Sequence, residues 1–359
     1  MTTRAPSERP TDPYEYVRGK TVLVTGAAGT VGSALARKLA PIARAVRCFD
    51  HAETELFYLG EELRGQKASN VTYPLGDVRD LDRLRFAFND VDVVFHAAAL
   101  KHVGIGEYNP FEVVQTNLLG LNNIVRAALD ANVDRVIFTS SDKAVNPTNV
   151  MGASKMMGER LIGASNEIRG LRRTRFASVR FGNVIGSRGS VVPIFARQLL
   201  AGEPLTVTHE GMTRYVMTVD EAATLVVEAG ALAKGGEVFV TKMRALRVTD
   251  LAAAMANLLS GGRFSMATTG VRPGEKLYEE LLMGDERERT LDVERLLIVL
   301  PPAGSEYADK PTAESFPRSA PLTKEWSSAR DTLMSVPEIE AYLTTNKILA
   351  PFLPAGARK

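Results

Sequence analysis

The segment that most restricts the fold is a short apolar strand that runs directly into a glycine-rich turn. Residues Thr21–Thr25 read Thr-Val-Leu-Val-Thr, and Gly26-Ala-Ala-Gly29-Thr-Val-Gly32 and a helical pattern follow them. Gly26 allows a tight turn, Gly29 lets backbone N–H groups approach a pyrophosphate, and Gly32 permits close packing of helix on strand. The segment therefore predicts a dinucleotide site at a helix N-terminus. The alternative is that the glycines serve only as a turn.

Beyond this turn, short β-rich runs alternate with amphipathic segments of helical length. The predicted strands are Thr21–Thr25, Ala45–Asp50, Val71–Leu75, Asp92–Ala97, Arg135–Ser140 and Phe176–Phe181. The predicted helices are Val31–Leu39, Glu53–Arg64, Leu81–Phe88, Phe111–Ala131 and Ser154–Arg169. Six strands joined by five crossovers predict an α/β fold, a Rossmann-type doubly wound parallel sheet with helices on both faces.

After about Asn183 the alternation gives way to loops and shorter elements, punctuated by proline and glycine. We therefore expect an N-terminal extension over residues 1–19, the NAD(P)-binding Rossmann domain over 20–182, a smaller, mostly substrate-binding lobe over 183–300 and a C-terminal tail over 301–359. The tail is rich in Pro, Ser and Ala, which predicts a partly irregular surface segment ending in one helix near Val336–Leu343.

Composition excludes several classes of protein. The chain has 44 basic and 42 acidic side chains, so its charge balance does not indicate a nucleic-acid or membrane surface. Cys48 is the only cysteine, which rules out a disulfide framework and a metal site built from several thiolates. No stretch approaches about 20 uninterrupted apolar residues, and the first nineteen residues lack a signal-peptide pattern. We expect a cytoplasmic protein with no metal.

Asp50 ends the second predicted strand about twenty residues after the glycines, where a carboxylate can accept hydrogen bonds from both ribose hydroxyls of an adenosine. A free 2′-hydroxyl favours NAD over NADP, because His51 follows where an arginine would have suggested NADP. The alternative is that Asp50 caps a helix that starts at Ala52.

Small and acidic residues follow the third and fourth strands and leave room for the adenine and the cofactor ribose. Asp77 is predicted to touch the adenine amino group or else to start a helix, although Asp80 is the better cap because Leu81 begins the periodic run. The predicted cofactor contacts from the residues alone are Gly26, Gly29, Thr30, Val31, Gly32, Asp50, His51, Asp77, Val78, Ala97, Ala98 and Ala99.

The fifth strand leads into Thr139-Ser-Ser-Asp-Lys-Ala-Val-Asn-Pro-Thr-Asn-Val-Met-Gly-Ala-Ser-Lys155. With Ala98-Ala-Leu-Lys-His-Val and Asn109-Pro-Phe-Glu, it resembles the UDP-N-acetylglucosamine 4,6-dehydratase family of extended short-chain dehydrogenases. The similarity runs from about Lys20 to Leu282. In short-chain dehydrogenases a tyrosine stands four residues before the lysine, but here Met151 does, and a thioether has no exchangeable proton. The chain is either an inactive dinucleotide-binding sensor or resembles the soluble form of the methionine-bearing, configuration-retaining branch, which the other matching residues favour.

The resemblance implies roles for the residues after the fifth strand. Asp142 would protonate the departing O6, and Lys143 would remove the C5 proton. Ser141 would hydrogen-bond the sugar O4, and Lys155 would hold the nicotinamide ribose. Met151 would stand in the catalytic segment at the position of the tyrosine. The O4 proton would pass through Ser141 to Asp142, to Lys155 or to an ordered water. Without the resemblance, Asp142 and Lys143 could equally be a solvated loop pair. A nucleotide-sugar 4-epimerase would instead need a tyrosine at position 151.

The resemblance also implies a UDP-N-acetylhexosamine substrate. Arginines suit the diphosphate because their fork gives bidentate, charge-assisted hydrogen bonds, and a carboxylate would accept from the uridine ribose. For each arginine alone the plainer alternative is a surface salt bridge, and for His102 a structural hydrogen bond. A homo-oligomer, at least a dimer, is expected through the helices of Phe111–Ala131 and Ser154–Arg169. The implied substrate contacts are Lys101, His102, Asn183, Ser190, Val191, Arg214, Arg272 and Glu275.

Overall fold

A computed structural model describes residues 12–307, 309–316 and 318–353. Most of the predicted N-terminal extension, residues 1–11, lies outside them. The chain forms two compact units. Among the described residues, the first comprises those from 12 to Phe181, Ala223–Lys242 and Leu282–Lys324, and the second comprises Gly182–Ala222, Met243–Leu281 and Glu325 to residue 353. The lobe expected over 183–300 is interrupted, because the chain returns to the first unit twice after residue 182, and its role in substrate binding stays a prediction.

The elements of the described residues are numbered in chain order. The strands are β1 Thr21–Thr25, β2 Ala45–Phe49, β3 Val71–Thr72, β4 Val93–His96, β5 Arg135–Thr139, β6 Arg175–Arg180, β7 Asn183–Val184, β8 Leu205–Val207, β9 Thr213–Met217, β10 Val238–Thr241, β11 Arg244–Arg247, β12 Met266–Thr268, β13 Thr290–Val293, β14 Leu296–Val299 and β15 Ala320–Pro321. The α-helices are α1 Thr30–Leu39, α2 Glu53–Gly65, α3 Leu81–Phe88, α4 Val103–Tyr108, α5 Pro110–Val113, α6 Gly120–Asp130, α7 Val150–Ile168, α8 Val191–Ala201, α9 Val219–Leu232, α10 Val248–Ser260 and α11 Val336–Thr345.

The first unit is built on one sheet with strand order β15-β13-β14-β10-β6-β5-β4-β1-β2-β3. The run β3-β2-β1-β4-β5-β6-β10 is parallel, and β14, β13 and β15 add antiparallel strands at one edge. All six predicted strands are present, with β3 shorter than expected. The α/β, doubly wound fold is confirmed. Strand order reverses between β1 and β4, the place where such sheets bind ligands.

Two predicted helices differ from the structure. The segment predicted as one helix over Phe111–Ala131 is α5, a π-helical turn over Val114–Leu119, and α6. The helix predicted from Ser154 begins earlier, at Val150, because the Asn149 side chain accepts the backbone N–H of Gly152 and caps α7. Periodicity alone shows neither feature.

The second unit contains a three-stranded sheet in the order β11-β9-β7 and the parallel pair β12-β8. Helices α8, α10 and α11 contribute to its core, where Phe195, Met255, Ile339 and Leu343 are fully buried. The predicted tail is mostly irregular and exposed over the described residues of 301–335, but its end is not a surface segment, because Met334, Ile339 and Leu343 are buried in this core. The predicted helix near Val336–Leu343 is confirmed as α11.

None of the helices in the described ranges is both long and apolar enough to cross a membrane.

Candidate functional site

The glycine turn between β1 and α1 has no room for side chains at two positions. Gly26 lies at φ +67°, and a Cβ there would lie 2.5 Å from the backbone nitrogen of Ala98. A Cβ on Gly32 would overlap the carbonyl oxygen of Gly26. The backbone N–H of Gly29 donates to that same oxygen, while the N–H groups of the first turn of α1 have no partner within the helix. The turn leaves an open row of donors at a positive helix end.

Gly26→Ala is therefore expected to destabilise the fold by more than about 2 kcal/mol, because it combines a positive φ with a backbone collision. Gly104→Ala is the matched control, since a Cβ on this residue of α4 meets nothing within 4 Å. Chemical denaturation measures both variants. Equal stability of the two would contradict the close approach of the turn to Ala98.

Asp50 links the glycine turn to the start of α2. Its carboxylate accepts the backbone N–H of Ala28 at 2.9 Å and that of Ala52 at 3.0 Å, and it is buried. The exposed His51 ring lies 3.4 Å from it. The N-cap of α2 is Ala52, so the interpretation of Asp50 as that cap is wrong. A carboxylate has lone pairs beyond these two contacts, and its role toward a ribose stays a prediction.

The Asp77 carboxylate is bound by Arg79 and does not cap a helix. It accepts the backbone N–H and the guanidinium of Arg79, whose hydrogen bonds lower the pKa of Asp77. Asp80 caps α3 by accepting the N–H of Arg83, as predicted. Val78 is buried, and Ala97, Ala98 and Ala99 are half-buried after β4.

The residues after β5 form a hydrogen-bonded cluster. The Ser141 hydroxyl donates to Oδ1 of Asp142 at 2.8 Å, and the Lys143 ammonium donates to the same oxygen at 3.0 Å. Asp142 is fully buried, and among the described residues its Oδ2 has no hydrogen-bond partner. Burial of the carboxylate contradicts the interpretation of Asp142 and Lys143 as a solvated loop pair. The cluster offers one hydroxyl, one carboxylate and one amine within direct proton-transfer distance.

Lys155 and Met151 lie one turn apart on α7, and both are buried. The Lys155 ammonium donates to the carbonyl of Thr139 at 2.8 Å and lies 4.6 Å from the centre of the Phe138 ring. Burial lowers the pKa of Lys155 to about 8, and Glu159 acts against that shift. Nearby His96 is also buried, which lowers its pKa to about 3, so it stays neutral.

The lowered pKa of Lys155 predicts a pH-dependent stability. Above about pH 8 the folded protein releases this proton, whereas the unfolded chain keeps it to 10.5, so raising the pH favours folding in that window. From about pH 7.5 to 9.5 the free energy of unfolding of the wild type is expected to gain about 2 kcal/mol relative to Lys155→Met. Parallel pH dependences of the two proteins in chemical denaturation would contradict a buried amine.

A buried charge network that the sequence analysis missed lies next to Lys155. Arg180, at the end of β6, is fully buried and donates to both carboxylate oxygens of Glu159 at 3.1 and 2.6 Å. It also donates to both oxygens of Glu286 at 2.8 and 3.0 Å. The only local signal is the spacing of Lys155 and Glu159, four residues apart on one helix face. The pairing of Arg180 with Glu286, 106 residues away, has no local signal.

Asn117, in the π-helical turn, is a second residue that the sequence analysis missed. Its side chain accepts the N–H of Leu100 at 2.8 Å and donates to the carbonyl of Leu100 and to the hydroxyl of Ser154. It thus ties the loop after β4 to α7. The only sign of Asn117 in the sequence is a polar side chain inside the predicted helix Phe111–Ala131. The π turn places the buried amide inward, a feature common at functional sites.

The loop after β4 also carries Lys101 and His102, and both are exposed. His102 is the N-cap residue of α4, but its ring makes no capping hydrogen bond. The structural hydrogen bond considered for His102 is therefore not a helix cap.

In the second unit, Arg214 on β9 is held by the segment 275–279, which we call the 275–279 turn. Its guanidinium donates to the carbonyls of Thr213 and Lys276, both at 2.8 Å, and of Leu277 at 3.3 Å. The carboxylate of Glu275 lies 3.9 Å away. The carboxylate of the buried Glu279 lies 3.8 Å away as well, and the Arg214 side chain is only 13% exposed, so Arg214 is ion-paired but does not form a surface salt bridge.

The other predicted substrate residues of this unit lie on the same turn or near α8. Arg272 is exposed, and its backbone N–H donates to Glu275 at 3.2 Å. Asn183 donates to the carbonyl of Tyr215 at 3.1 Å. The backbone N–H of Ser190 donates to the carbonyl of Ser187 at 3.1 Å, so only the side chain of Ser190 is left for the predicted substrate contact. Its hydroxyl is buried without a partner among the described residues, and Val191 opens α8 with a first-turn N–H.

Residues 22–301 match the model of a family described as polysaccharide biosynthesis protein. The chain belongs to that family. The uncharacterized membrane protein MJ1061 of Methanocaldococcus jannaschii is 45% identical over 297 residues, 81% of this chain and 88% of that one. The probable polysaccharide biosynthesis protein EpsC of Bacillus subtilis is 43% identical over 75% of this chain, which spans only 46% of EpsC.

Two further relatives have named activities. An inverting UDP-N-acetylglucosamine 4,6-dehydratase of Campylobacter jejuni is 37% identical over 79% of this chain and 83% of its own length. A UDP-glucose 4-epimerase of Rickettsia canadensis is 36% identical over 76% of this chain and 81% of its own length. Among solved structures, Pen from Bacillus thuringiensis has a TM-score of 0.86 and 36% identity, covering 93% of this chain and 99% of Pen. The chain is thus similar to nucleotide-sugar enzymes of two reaction types.

Proposed function

We propose that this protein is an NAD-dependent UDP-N-acetylglucosamine 4,6-dehydratase that retains configuration at C5. The product would be UDP-2-acetamido-2,6-dideoxy-α-D-xylo-hexos-4-ulose. The observation that carries the proposal is the hydrogen-bonded cluster of Ser141, Asp142 and Lys143 after β5. Its buried carboxylate and adjacent amine provide the acid and the base that elimination of water requires.

The residues of the first unit fit a dinucleotide. The space at Gly26 and Gly32 would be filled by any side chain, and the α1 N-terminus presents N–H groups for a pyrophosphate. Asp50 would accept from the adenosine ribose, and its negative charge would repel a 2′-phosphate, which favours NAD over NADP. When bound, NAD would accept the C4 hydride and return it to C6. Lys155 is assigned to the nicotinamide ribose.

The proton inventory closes with the residues of the cluster. The Ser141 hydroxyl takes the O4 proton of the substrate and passes a proton to Asp142 along the 2.8 Å hydrogen bond between them. Asp142 then delivers that proton to the departing O6 hydroxyl, which leaves as water. Lys143 acts as the base after it has released a proton from its ammonium: the neutral amine removes the C5 proton made acidic by the C4 ketone, and the ammonium so formed, whose protons exchange with solvent, gives a proton back to C5 after hydride reaches C6. No proton is gained or lost over the cycle.

Retention at C5 follows from having one base. If Lys143 removes and returns the proton, both transfers occur on one face of the sugar. Inversion needs an acid on the opposite face, and Met151 has no proton to offer. The Campylobacter relative is named as inverting, so this proposal differs from that relative in the configuration at C5.

The second unit would bind the nucleotide half of the substrate. Arg214 and the exposed Arg272 would neutralise the diphosphate, and Glu275 would accept from the uridine ribose. We further assign sugar or phosphate contacts to Asn183, Val191 and the unpartnered hydroxyl of Ser190. Lys101 and His102 are assigned to the sugar. The expected dimer and cytoplasmic location belong to the same proposal.

The experiment is incubation of the purified protein with UDP-N-acetylglucosamine in deuterated water, followed by mass spectrometry and proton NMR. Loss of one water, with deuterium at C5 and the coupling constants of the xylo product, is expected. A dehydrated product of the opposite C5 configuration would overturn retention alone. An unchanged mass with an inverted C4 would indicate an epimerase, and NAD binding without turnover would indicate a sensor.

A further inference from the structure

The segment 326–334 follows the residues matched by the family model and lies against the strand that carries Arg214. It belongs to the second unit, as do β9 and the 275–279 turn. Tyr215, the neighbour of Arg214 on β9, is fully buried, and its hydroxyl donates to the carboxylate of Asp331 at 2.5 Å. On the other side of Arg214, the hydroxyls of Thr213 and Ser328 are 2.9 Å apart. Both neighbours of Arg214 are thus bound to one segment.

The same segment also fixes the end of the turn that holds the guanidinium. The Ser328 hydroxyl accepts the backbone N–H of Glu279 at 2.9 Å, and the Ser328 N–H donates to the carbonyl of Glu279 at 2.9 Å. The N–H of Leu281 donates to the carbonyl of Trp326 at 3.1 Å. Ser328 therefore joins β9, through Thr213, to Glu279, the last residue of the 275–279 turn.

Hydrogen bonds to β9 and to Ser328 hold the 275–279 turn, and the Thr213 N–H also donates to the carbonyl of Leu277 at 2.9 Å. Leu277 and Tyr278 are exposed, so the turn buries little apolar surface of its own. Three of the five N–H donors of the Arg214 guanidinium bind backbone carbonyls. Two of these carbonyls, those of Lys276 and Leu277, belong to the turn, and the third belongs to Thr213. A shift of the turn would rotate the guanidinium of Arg214. A displacement of about 1 Å in a group that positions a substrate weakens the function of that group.

We propose that the 326–334 segment is a positioning element for Arg214, which fixes β9 and the 275–279 turn and thereby sets the affinity of the second unit for a nucleoside diphosphate. The inference rests on the proposed function in one respect, the assignment of Arg214 to the diphosphate. Asp331 and Ser328 are positioning residues, since they act through Tyr215, Thr213 and the turn.

The chain offers a matched pair of variants for the test. Tyr215→Phe removes the hydroxyl that donates to Asp331. Tyr342→Phe removes a hydroxyl that donates to Glu221 at 2.9 Å in the same unit, away from Arg214 in the chain and in its hydrogen bonds. Both variants lose one phenol–carboxylate hydrogen bond, so similar falls in melting temperature are expected. Ser328→Ala is a second variant should Tyr215→Phe not fold.

The measurement is the Kd of UDP by titration calorimetry, with kcat and KM for UDP-N-acetylglucosamine. For Tyr215→Phe or Ser328→Ala, we expect the Kd of UDP and KM to rise about tenfold with kcat nearly unchanged, the scale of one charge-assisted contact. Tyr342→Phe should stay within about twofold of the wild type. A general loss of stability would not separate the two tyrosine variants in this way.

The outcomes separate this inference from the proposed function. If the wild type binds UDP without turnover and Tyr215→Phe weakens that binding, the inference stands and the dehydratase assignment fails. If folded Tyr215→Phe and Ser328→Ala bind UDP as the wild type does, the positioning role is overturned whatever the wild type catalyses. A wild type that does not bind UDP overturns it as well.

Discussion

Asp142→Asn is expected to lower kcat for dehydration by about a thousandfold, because general acid catalysis contributes on that scale. An amide is almost isosteric with the carboxyl, but it can neither take the O4 proton from Ser141 nor deliver one to O6. Since Asp142 touches Ser141 and Lys143 and not the glycine turn, NAD affinity should change less than about threefold. Steady-state kinetics and cofactor titration measure the two quantities.

Ser141→Ala separates the two proton transfers of Asp142. It removes the relay from O4 but leaves the carboxyl that protonates O6, so a smaller loss, about tenfold to a hundredfold, is expected as water replaces the hydroxyl. Full activity in Asp142→Asn, or a larger loss in Ser141→Ala than in Asp142→Asn, would contradict the assigned roles.

Arg180→Met is expected to destabilise the protein by about 3–5 kcal/mol, the cost of leaving buried carboxylates without their cation. Glu159 and Glu286 are both buried, and Arg180 makes two hydrogen bonds to each of them. Denaturant unfolding gives the free energy directly. The effect is the largest on stability that we expect from any single substitution proposed for this chain.

Two controls accompany the Arg180 variant. Adding Glu159→Gln and Glu286→Gln to Arg180→Met should recover much of the lost stability, because no uncompensated charge then remains. Arg330→Ala, which breaks an exposed ion pair with Glu325, should cost less than about 1 kcal/mol. If Arg180→Met alone is as stable as Arg330→Ala, the buried network does not stabilise the fold.

The features that could be predicted from the sequence are those with a local physical cause. Strand β1 and the glycine turn are visible because their spacing is set by contacts within a dozen residues. The cap at Asp80 follows from the side chain that precedes a periodic run. The placement of Ser141, Asp142 and Lys143 after β5 came from a resemblance, and the structure adds their shared hydrogen bonds and the burial of Asp142.

The features that could not be predicted depend on residues far apart in the chain. The Arg180–Glu286 pair and the Tyr215–Asp331 pair each join positions more than 100 residues apart. The tail after Pro301 is rich in Pro, Ser and Ala, which predicts a surface segment, yet a few apolar residues at helical spacing bury one face of α11. The return of the chain to the first unit likewise has no local signature.

The central claim is that one enzyme-bound NAD carries hydride from C4 to C6 of the same sugar. The most direct test supplies UDP-N-acetylglucosamine labelled with deuterium at C4 to the purified protein and locates the label in the product by NMR. We predict a 4-keto-6-deoxy product with the deuterium on its C6 methyl group. Deuterium found again at C4, in a mixture of C4 epimers, or lost to an added oxidised cofactor, would contradict the account.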